Sequence, residues 1–164
     1  MNSVLPWTET LLRLGAAVAC GLALGLEREW KEKPAGLRTQ ALVALAAASF
    51  TVLALEIFHA QKAMTAETAV DMTRVIEGVI AGVAFLGAGT IIKSGRDVRG
   101  LTTGATIWVA GALGVACGGG WYVPAAITLV LALAVAHLLL GVEWMIRRVA
   151  GPAPDAPTGR RAER

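Results

Sequence analysis

The chain has 164 residues, of which 55% are apolar and only 16% are charged, and its mean hydropathy is +0.62. This composition excludes an ordinary soluble domain of the same length and favours a polytopic membrane protein. The formal net charge of +3 does not indicate a nucleic-acid partner. The basic residues flank apolar runs, where they orient membrane helices.

The apolar runs are long enough to cross the hydrocarbon core, which takes about 20 residues of α-helix. The sequence therefore predicts an all-α transmembrane bundle in one domain, 1–148. We expect about five helices, at about 5–26, 37–58, 73–92, 101–117 and 123–146. Residues 149–164, rich in arginine and proline, are expected to form a disordered tail.

The basic residues predict an orientation for five crossings. They concentrate after the first helix, after the third helix and in the tail, all on one side of the membrane. By the positive-inside rule, that side is the cytoplasm. We therefore expect the N-terminus outside and the C-terminus inside.

The first predicted helix carries small residues and one charge. Ala17, Gly21 and Gly25 recur every four residues, a spacing that lets a neighbouring backbone approach closely. Arg13 lies at a similar depth to Glu77 of the third helix, so the two are predicted to form an intramembrane charged pair. Each charge also has a neighbour of opposite sign on its own helix, so local pairing of Arg13 and Glu77 stays open.

The third helix contains an unusual density of glycine. Asp71 is placed to cap its N-terminus, with Arg74 following in the first turn. The small residues beyond them indicate either close helix packing or a local break whose carbonyls line an ion site. Gly100 and Gly104 extend the same packing pattern into the fourth helix. The packing set of the third helix comprises Gly78, Gly82, Phe85, Gly87 and Gly89.

Charged and hydroxyl side chains are predicted to share one level at the cytoplasmic ends of the helices. The basic members suit lipid headgroups. The two glutamates instead suggest salt bridges between loops, or a polar surface for a partner. This predicted cytoplasmic cluster comprises Glu27, Arg28, Glu29, Arg38, Lys93, Arg99, Thr102 and Thr103.

The chain has no motif typical of an enzyme, with no nucleophile elbow, no phosphate-binding glycine loop and no HExxH sequence. Cys20 and Cys117 lack a CxxC context and are expected to be small packing residues. The intramembrane acids are single, which does not suit a magnesium site. We expect no catalysis, no cofactor and no bound metal.

Three segments resemble the membrane domain of the bacterial MgtC/SapB family and occur in the family's order. They are GLEREWKEKPAGLRTQALVALAAASF, TRVIEGVIAGVAFLGAGTIIK and VRGLTTGATIWVAGALGVACGGG. The likeness extends over nearly the whole chain. The matching motif residues are Glu27, Arg28, Glu29, Pro34, Gly36, Arg38, Asp71, Arg74, Gly82, Phe85, Gly87, Gly89, Arg99, Gly100, Thr102, Thr103 and Trp108.

This resemblance implies an inner-membrane protein. Relatives are associated with growth in low magnesium and, in pathogens, with survival inside host cells. The favoured activity is regulation of partner membrane proteins, including the F-type ATP synthase, rather than magnesium transport. Many relatives have glutamine where this chain has Glu77, and longer ones carry a C-terminal soluble domain.

Two functional hypotheses follow. The leading one is a regulator that associates with a transporter or ATP synthase under ionic stress. Its partners would be the lipid bilayer and another membrane protein, with a homo-oligomer as a further option and no nucleic acid. The alternative is a component of a cation or small-solute transporter or channel, with Arg13 and Glu77 on the pathway.

Overall fold

The computed structural model describes residues 4–64, 71–95 and 97–150, with 62–64 and 138–150 as backbone alone. The described chain folds into five helices and one short hairpin, which confirms the predicted all-α polytopic bundle. The helices are α1 (Trp7–Trp30), α2 (Leu37–Met64), α3 (Met72–Gly89), α4 (Leu101–Gly118) and α5 (Tyr122–Ala150). The predicted disordered tail lies outside the described residues from 151 onward.

Four helices, α1 to α4, are long and apolar enough to cross a membrane. The fifth is apolar over Tyr122–His137 and runs along the bundle from end to end. It begins beside Arg13, which contacts Gly120, and reaches the opposite end where His137 Nδ1 lies 3.3 Å from Lys31 Nζ. Arg13 and Lys31 therefore lie at opposite ends of the described bundle.

Some helix ends differ from the prediction. The first helix continues past residue 26 to Trp30, because Glu27 and Lys31 pair one turn apart and basic residues in a last turn complement the helix dipole. The second extends from the predicted end at 58 to Met64. The third stops at Gly89 rather than at 92.

A small β-hairpin replaces the loop expected between α3 and α4. Strand β1 (Ile92–Ser94) pairs antiparallel with β2 (Asp97–Arg99), and Lys93 lies opposite Val98. Gly95 provides a positive φ of 61° beside the turn. This hairpin was not predicted, because three-residue strands give too short a sequence pattern to distinguish from a loop.

Helices α1, α2 and α4 form the packed centre of the bundle, and glycines determine how closely they approach. A Cβ built on Gly25 would lie 2.5 Å from Leu37 Cα, and one on Gly118 would lie 2.6 Å from the backbone oxygen of Ala48. Ala17 is fully buried on the same stripe of α1 as Gly21 and Gly25. The predicted close approach along this stripe is confirmed.

Helix α3 lies at the edge of the bundle, where Val83 and Gly87 are its only buried residues. It packs against α4 where Gly87 meets Gly104, and a Cβ on Gly87 would lie 3.2 Å from the Gly104 oxygen. The packing prediction therefore holds for Gly87 and Gly104. Among the described residues it is wrong for Gly78, Gly82 and Gly89, where an added Cβ would meet nothing within 4 Å.

Candidate functional site

Buried polar side chains collect at one end of the bundle, where α1 ends and where α2 and α4 begin. We call this group the buried polar cluster, and define it as Arg28, Gln40, Thr103 and Thr106. Arg28 and Thr103 are each 4% exposed, and Gln40 is fully buried. Burying polar groups is unfavourable unless they are hydrogen-bonded, so the partners of each atom decide what the cluster can do.

Arg28 joins three segments of the chain. Its Nη2 donates to Thr103 Oγ1 over 2.6 Å and to the Pro34 oxygen over 3.0 Å. Its Nε is buried and has no hydrogen-bond partner. Among the described residues, no carboxylate makes a salt bridge with this guanidinium.

Gln40, like Arg28, donates to a carbonyl of the turn after α1 and to a threonine of α4. Its Nε2 donates to the Ala35 oxygen over 3.2 Å and to Thr106 Oγ1 over 3.0 Å, and Thr106 in turn donates to the Thr103 oxygen over 2.9 Å. The Ala35 carbonyl can only accept, so it fixes which end of the amide faces it. Gln40 Oε1 is consequently left buried without a donor.

Two of the helix ends at the cluster contribute positive partial charge, and the glutamates here are bound elsewhere. The N-termini of α2 and α4 both lie here, and each presents free N–H groups and the positive end of a helix dipole. Glu29 caps α2 by accepting from Leu37 N over 3.3 Å. Glu27 is bound to Lys31 and lies 3.8 Å from His137 Nδ1. Both predicted glutamates therefore have partners other than Arg28.

The turn that covers the cluster is strained. Glu32 has φ 50° and Ala35 has φ 58°, values that side chains other than glycine rarely adopt. The carbonyls of Pro34 and Ala35 in the same turn are those that hold Arg28 and Gln40. Two hydrogen bonds thus tie this strained turn to the cluster.

The predicted cytoplasmic cluster divides in the structure. Arg28 and Thr103 are buried together, with Glu27 and Glu29 beside them. Arg38, Lys93 and Thr102 are exposed, and Arg99 pairs with Asp97 over 3.4 Å on the hairpin. The sequence analysis missed Gln40 and Thr106 as members. The three-residue spacing of the two cluster threonines, which places them on one face of α4, was the available signal.

The predicted pair between Arg13 and Glu77 is wrong for this structure. Arg13 Nε bonds Glu9 Oε1 over 2.9 Å, and its Nη1 donates to the Gly118 oxygen over 3.0 Å. Glu77 lies exposed on α3. Because α2 and α4 form the main contacts of both α1 and α3, the two charges belong to different sides of the bundle.

The predicted cap at Asp71 is confirmed, because its carboxylate accepts from Thr73 N over 2.9 Å and from Thr73 Oγ1. These hydrogen bonds lower the pKa of Asp71. The helix runs unbroken from this cap to Gly89, so the alternative of a local break inside α3 is wrong. Arg74 and Phe85 are exposed, with Phe85 80% accessible.

Gly100 and the two cysteines lie where helices begin or pack together. Gly100 adopts φ 90° at the N-cap of α4 and lies against Thr90, a conformation that favours glycine. Cys20 and Cys117 are free thiols whose Sγ atoms lie 4.0 Å apart between α1 and α4. Within the described residues, no group of three metal-ligating side chains occurs.

A family model described as the MgtC family matches residues 14–144 of this sequence. The chain belongs to the MgtC family. This match confirms the resemblance drawn from the three motifs, and with the four membrane-length helices it establishes a membrane protein.

Curated relatives agree with the family assignment. Protein SapB of Bacillus subtilis is 38% identical over 149 residues, which cover 88% of this chain and 60% of that protein. Protein MgtC of Brucella abortus is 40% identical over 134 residues, covering 82% and 52% respectively. Protein MgtC of Salmonella paratyphi A is 36% identical over 155 residues, covering 94% and 59%. The chain spans about half to three fifths of these relatives, and no solved structure matches it.

Proposed function

We propose that this MgtC-family chain acts by lateral association with another protein of the bacterial inner membrane. The partner would be an ion-handling protein, a transporter or an ATP synthase, whose activity or stability the chain tunes under ionic stress such as magnesium limitation. The observation that carries this proposal is the uncovered outer surface of α3. We call it the α3 face, and it comprises Arg74, Glu77, Gly78, Ala81, Gly82, Phe85, Ala88 and Gly89.

The glycines of the α3 face make no close contact with the described residues, because an added Cβ would meet nothing within 4 Å. Among the described helix glycines outside α3, only Gly15 has open space where a Cβ would be. Each glycine in a helix interior is less favourable than alanine by about 1 kcal/mol. Close approach of another backbone offsets that cost elsewhere in this bundle, and a helix from a partner would do the same at Gly78 and Gly82.

The charges of the same face give the partner's chemistry. Glu77 lies inside a candidate span and is exposed, and no described side chain is recorded in ion-pair contact with it. Arg74 lies one turn earlier, also exposed. An ionised side chain within a membrane span normally faces a partner or an aqueous cavity. A partner helix with a polar or charged residue near its outer end would satisfy both groups.

The centre of the bundle supports association over conduction. The buried groups at the two ends, around Arg13 and around Arg28, are separated by an apolar core that includes Leu24, Ala44 and Leu113. The buried hydroxyl of Thr51 is bonded to its own helix. The described residues thus offer no polar path from one end to the other, which argues against the transporter hypothesis.

The test is complementation of a strain that lacks its own copy of this gene, grown in low magnesium. Gly82→Leu should abolish complementation while the amount of protein in the membrane stays unchanged. Gly15→Leu is the matched control and should complement normally, because it adds the same side chain in open space on α1. Magnesium, potassium or proton flux through the purified chain in sealed proteoliposomes would contradict the proposal.

A further inference from the structure

Arg28 is a buried cation whose guanidinium makes no salt bridge with a described carboxylate. Its side chain is almost fully enclosed, and its Nε has no partner. Of the two acids that flank it in sequence, Glu27 is bound to Lys31 and Glu29 accepts from Leu37 N. A buried charge is strongly unfavourable unless it is paired. Water bound to Nε would satisfy one hydrogen bond, whereas an anion would also form the salt bridge that neither Glu27 nor Glu29 makes with the guanidinium.

The surroundings suit an oxyanion in particular. Arginine binds phosphate and carboxylate through charge-assisted hydrogen bonds, and the N-termini of α2 and α4 add N–H donors and positive dipole ends at the same level. Thr103 holds the guanidinium in place over 2.6 Å. Arg28 and these two helix N-termini thus place hydrogen-bond donors from three helices at one end of the bundle.

Gln40 narrows the choice of anion. Its Oε1 is the second buried atom without a partner, and as an acceptor it needs a donor. A fully deprotonated anion would face this oxygen without a proton to offer. An oxyanion that keeps a hydroxyl, such as phosphate near neutral pH, would accept from Arg28 and donate to Gln40 at once.

We infer that the buried polar cluster is a binding site for a phosphate-type oxyanion that retains one hydroxyl proton. The source is free phosphate or the headgroup of a phosphate monoester lipid, since both present the same chemistry at the membrane surface. This inference concerns a ligand of the chain itself. It stands apart from the proposed association through the α3 face.

The turn over the cluster provides the entrance. In the present conformation each unpartnered atom exposes less than 1 Å² to solvent, so the site is closed. Glu32 and Ala35 have positive φ angles that an opening of this turn would relieve, and the opening would free the carbonyls of Pro34 and Ala35 from Arg28 and Gln40. An anion would take over the hydrogen bonds that the turn gives up.

The experiment is calorimetric titration of the full chain in phosphatidylcholine nanodiscs with sodium phosphate and with sodium sulfate at matched ionic strength. We expect saturable binding of phosphate. Sulfate, which carries no proton near neutral pH, should bind at least about tenfold more weakly, the effect of one unsatisfied hydrogen bond. Arg28→Gln should weaken phosphate binding at least about tenfold, whereas the exposed Arg38→Gln should leave it unchanged.

A second variant keeps the test decisive if Arg28→Gln fails to fold. Gln40→Met should retain phosphate binding but lose the preference for phosphate over sulfate. Nanodiscs containing phosphatidic acid distinguish the source, because a bound headgroup would abolish the phosphate signal and stabilise the wild type but not Arg28→Gln. The inference is overturned if folded wild type responds to neither phosphate nor phosphatidic acid, if phosphate binding survives Arg28→Gln, or if only an adventitious ion without preference binds.

Discussion

The backbone oxygen of Gln40 lies 2.6 Å from the point that a Cβ on Gly21 would occupy. This contact brings the start of α2 against α1 and positions the Gln40 side chain within the buried polar cluster. Gly15, two turns earlier on α1, has nothing within 4 Å. The two glycines of one helix therefore serve as a test and its control.

Gly21→Ala should destabilise the protein, because the added methyl group overlaps the α2 backbone. Overpacking of this kind typically costs about 1–3 kcal/mol. Gly15→Ala should be neutral or stabilising by up to about 1 kcal/mol, since alanine is the better helix former. Thermal unfolding of the two purified variants in detergent measures the difference, and equal stabilities would show that α1 and α2 are not in close contact.

Arg13→Ala should destabilise the bundle while Glu77→Gln should not. Arg13 donates to the Gly118 oxygen and packs against Gly120, and a hydrogen bond from a charged group contributes about 1.5–3 kcal/mol. Glu77 has no such contact within the described chain. The measurement is the unfolding midpoint of each variant in detergent. An equal loss of stability in Glu77→Gln would support the Arg13–Glu77 pair expected from the sequence.

The Asp71 cap should make the stability of α3 depend on pH. Its hydrogen bonds to Thr73 lower the pKa of Asp71 below the unfolded value. The ionised cap therefore stabilises the fold fully above the unfolded pKa of about 3.9, and this contribution is lost as the pH falls through the lower folded value. Asp71→Asn, which keeps an acceptor but no charge, should flatten the acid limb of a stability profile. An unchanged profile would contradict this role.

An alanine-to-glycine substitution should change the stability in opposite directions in the strained turn and in a helix. Ala35→Gly should stabilise the chain by up to about 1 kcal/mol, because glycine adopts the φ of 58° without strain. Ala46→Gly, at an exposed position within α2, should destabilise it by about 1 kcal/mol. Chemical unfolding of both variants compares them, and destabilisation by Ala35→Gly would show that the turn is unstrained.

The helices were predictable from the sequence because long apolar runs and the cap at Asp71 are local signals. Which helices pack against each other could not be predicted from the sequence. Arg13 and Glu77 share a depth, but nothing in their spacing tells that α2 and α4 lie between their helices. The buried polar cluster was predicted only in part. Gln40 was not predicted as a member, because it is a single amide whose burial depends on where α4 packs.

We propose that the α3 face binds another membrane protein. The most direct measurement is photocrosslinking in living cells, with a photoreactive residue at Phe85 on that face and, as control, at Leu11, an exposed position on α1. We expect one discrete adduct with a different membrane protein from position Phe85, absent from Leu11 and lost when Gly82→Leu is added. Adducts with lipid alone, with a second copy of the chain alone, or equally from both positions would contradict it.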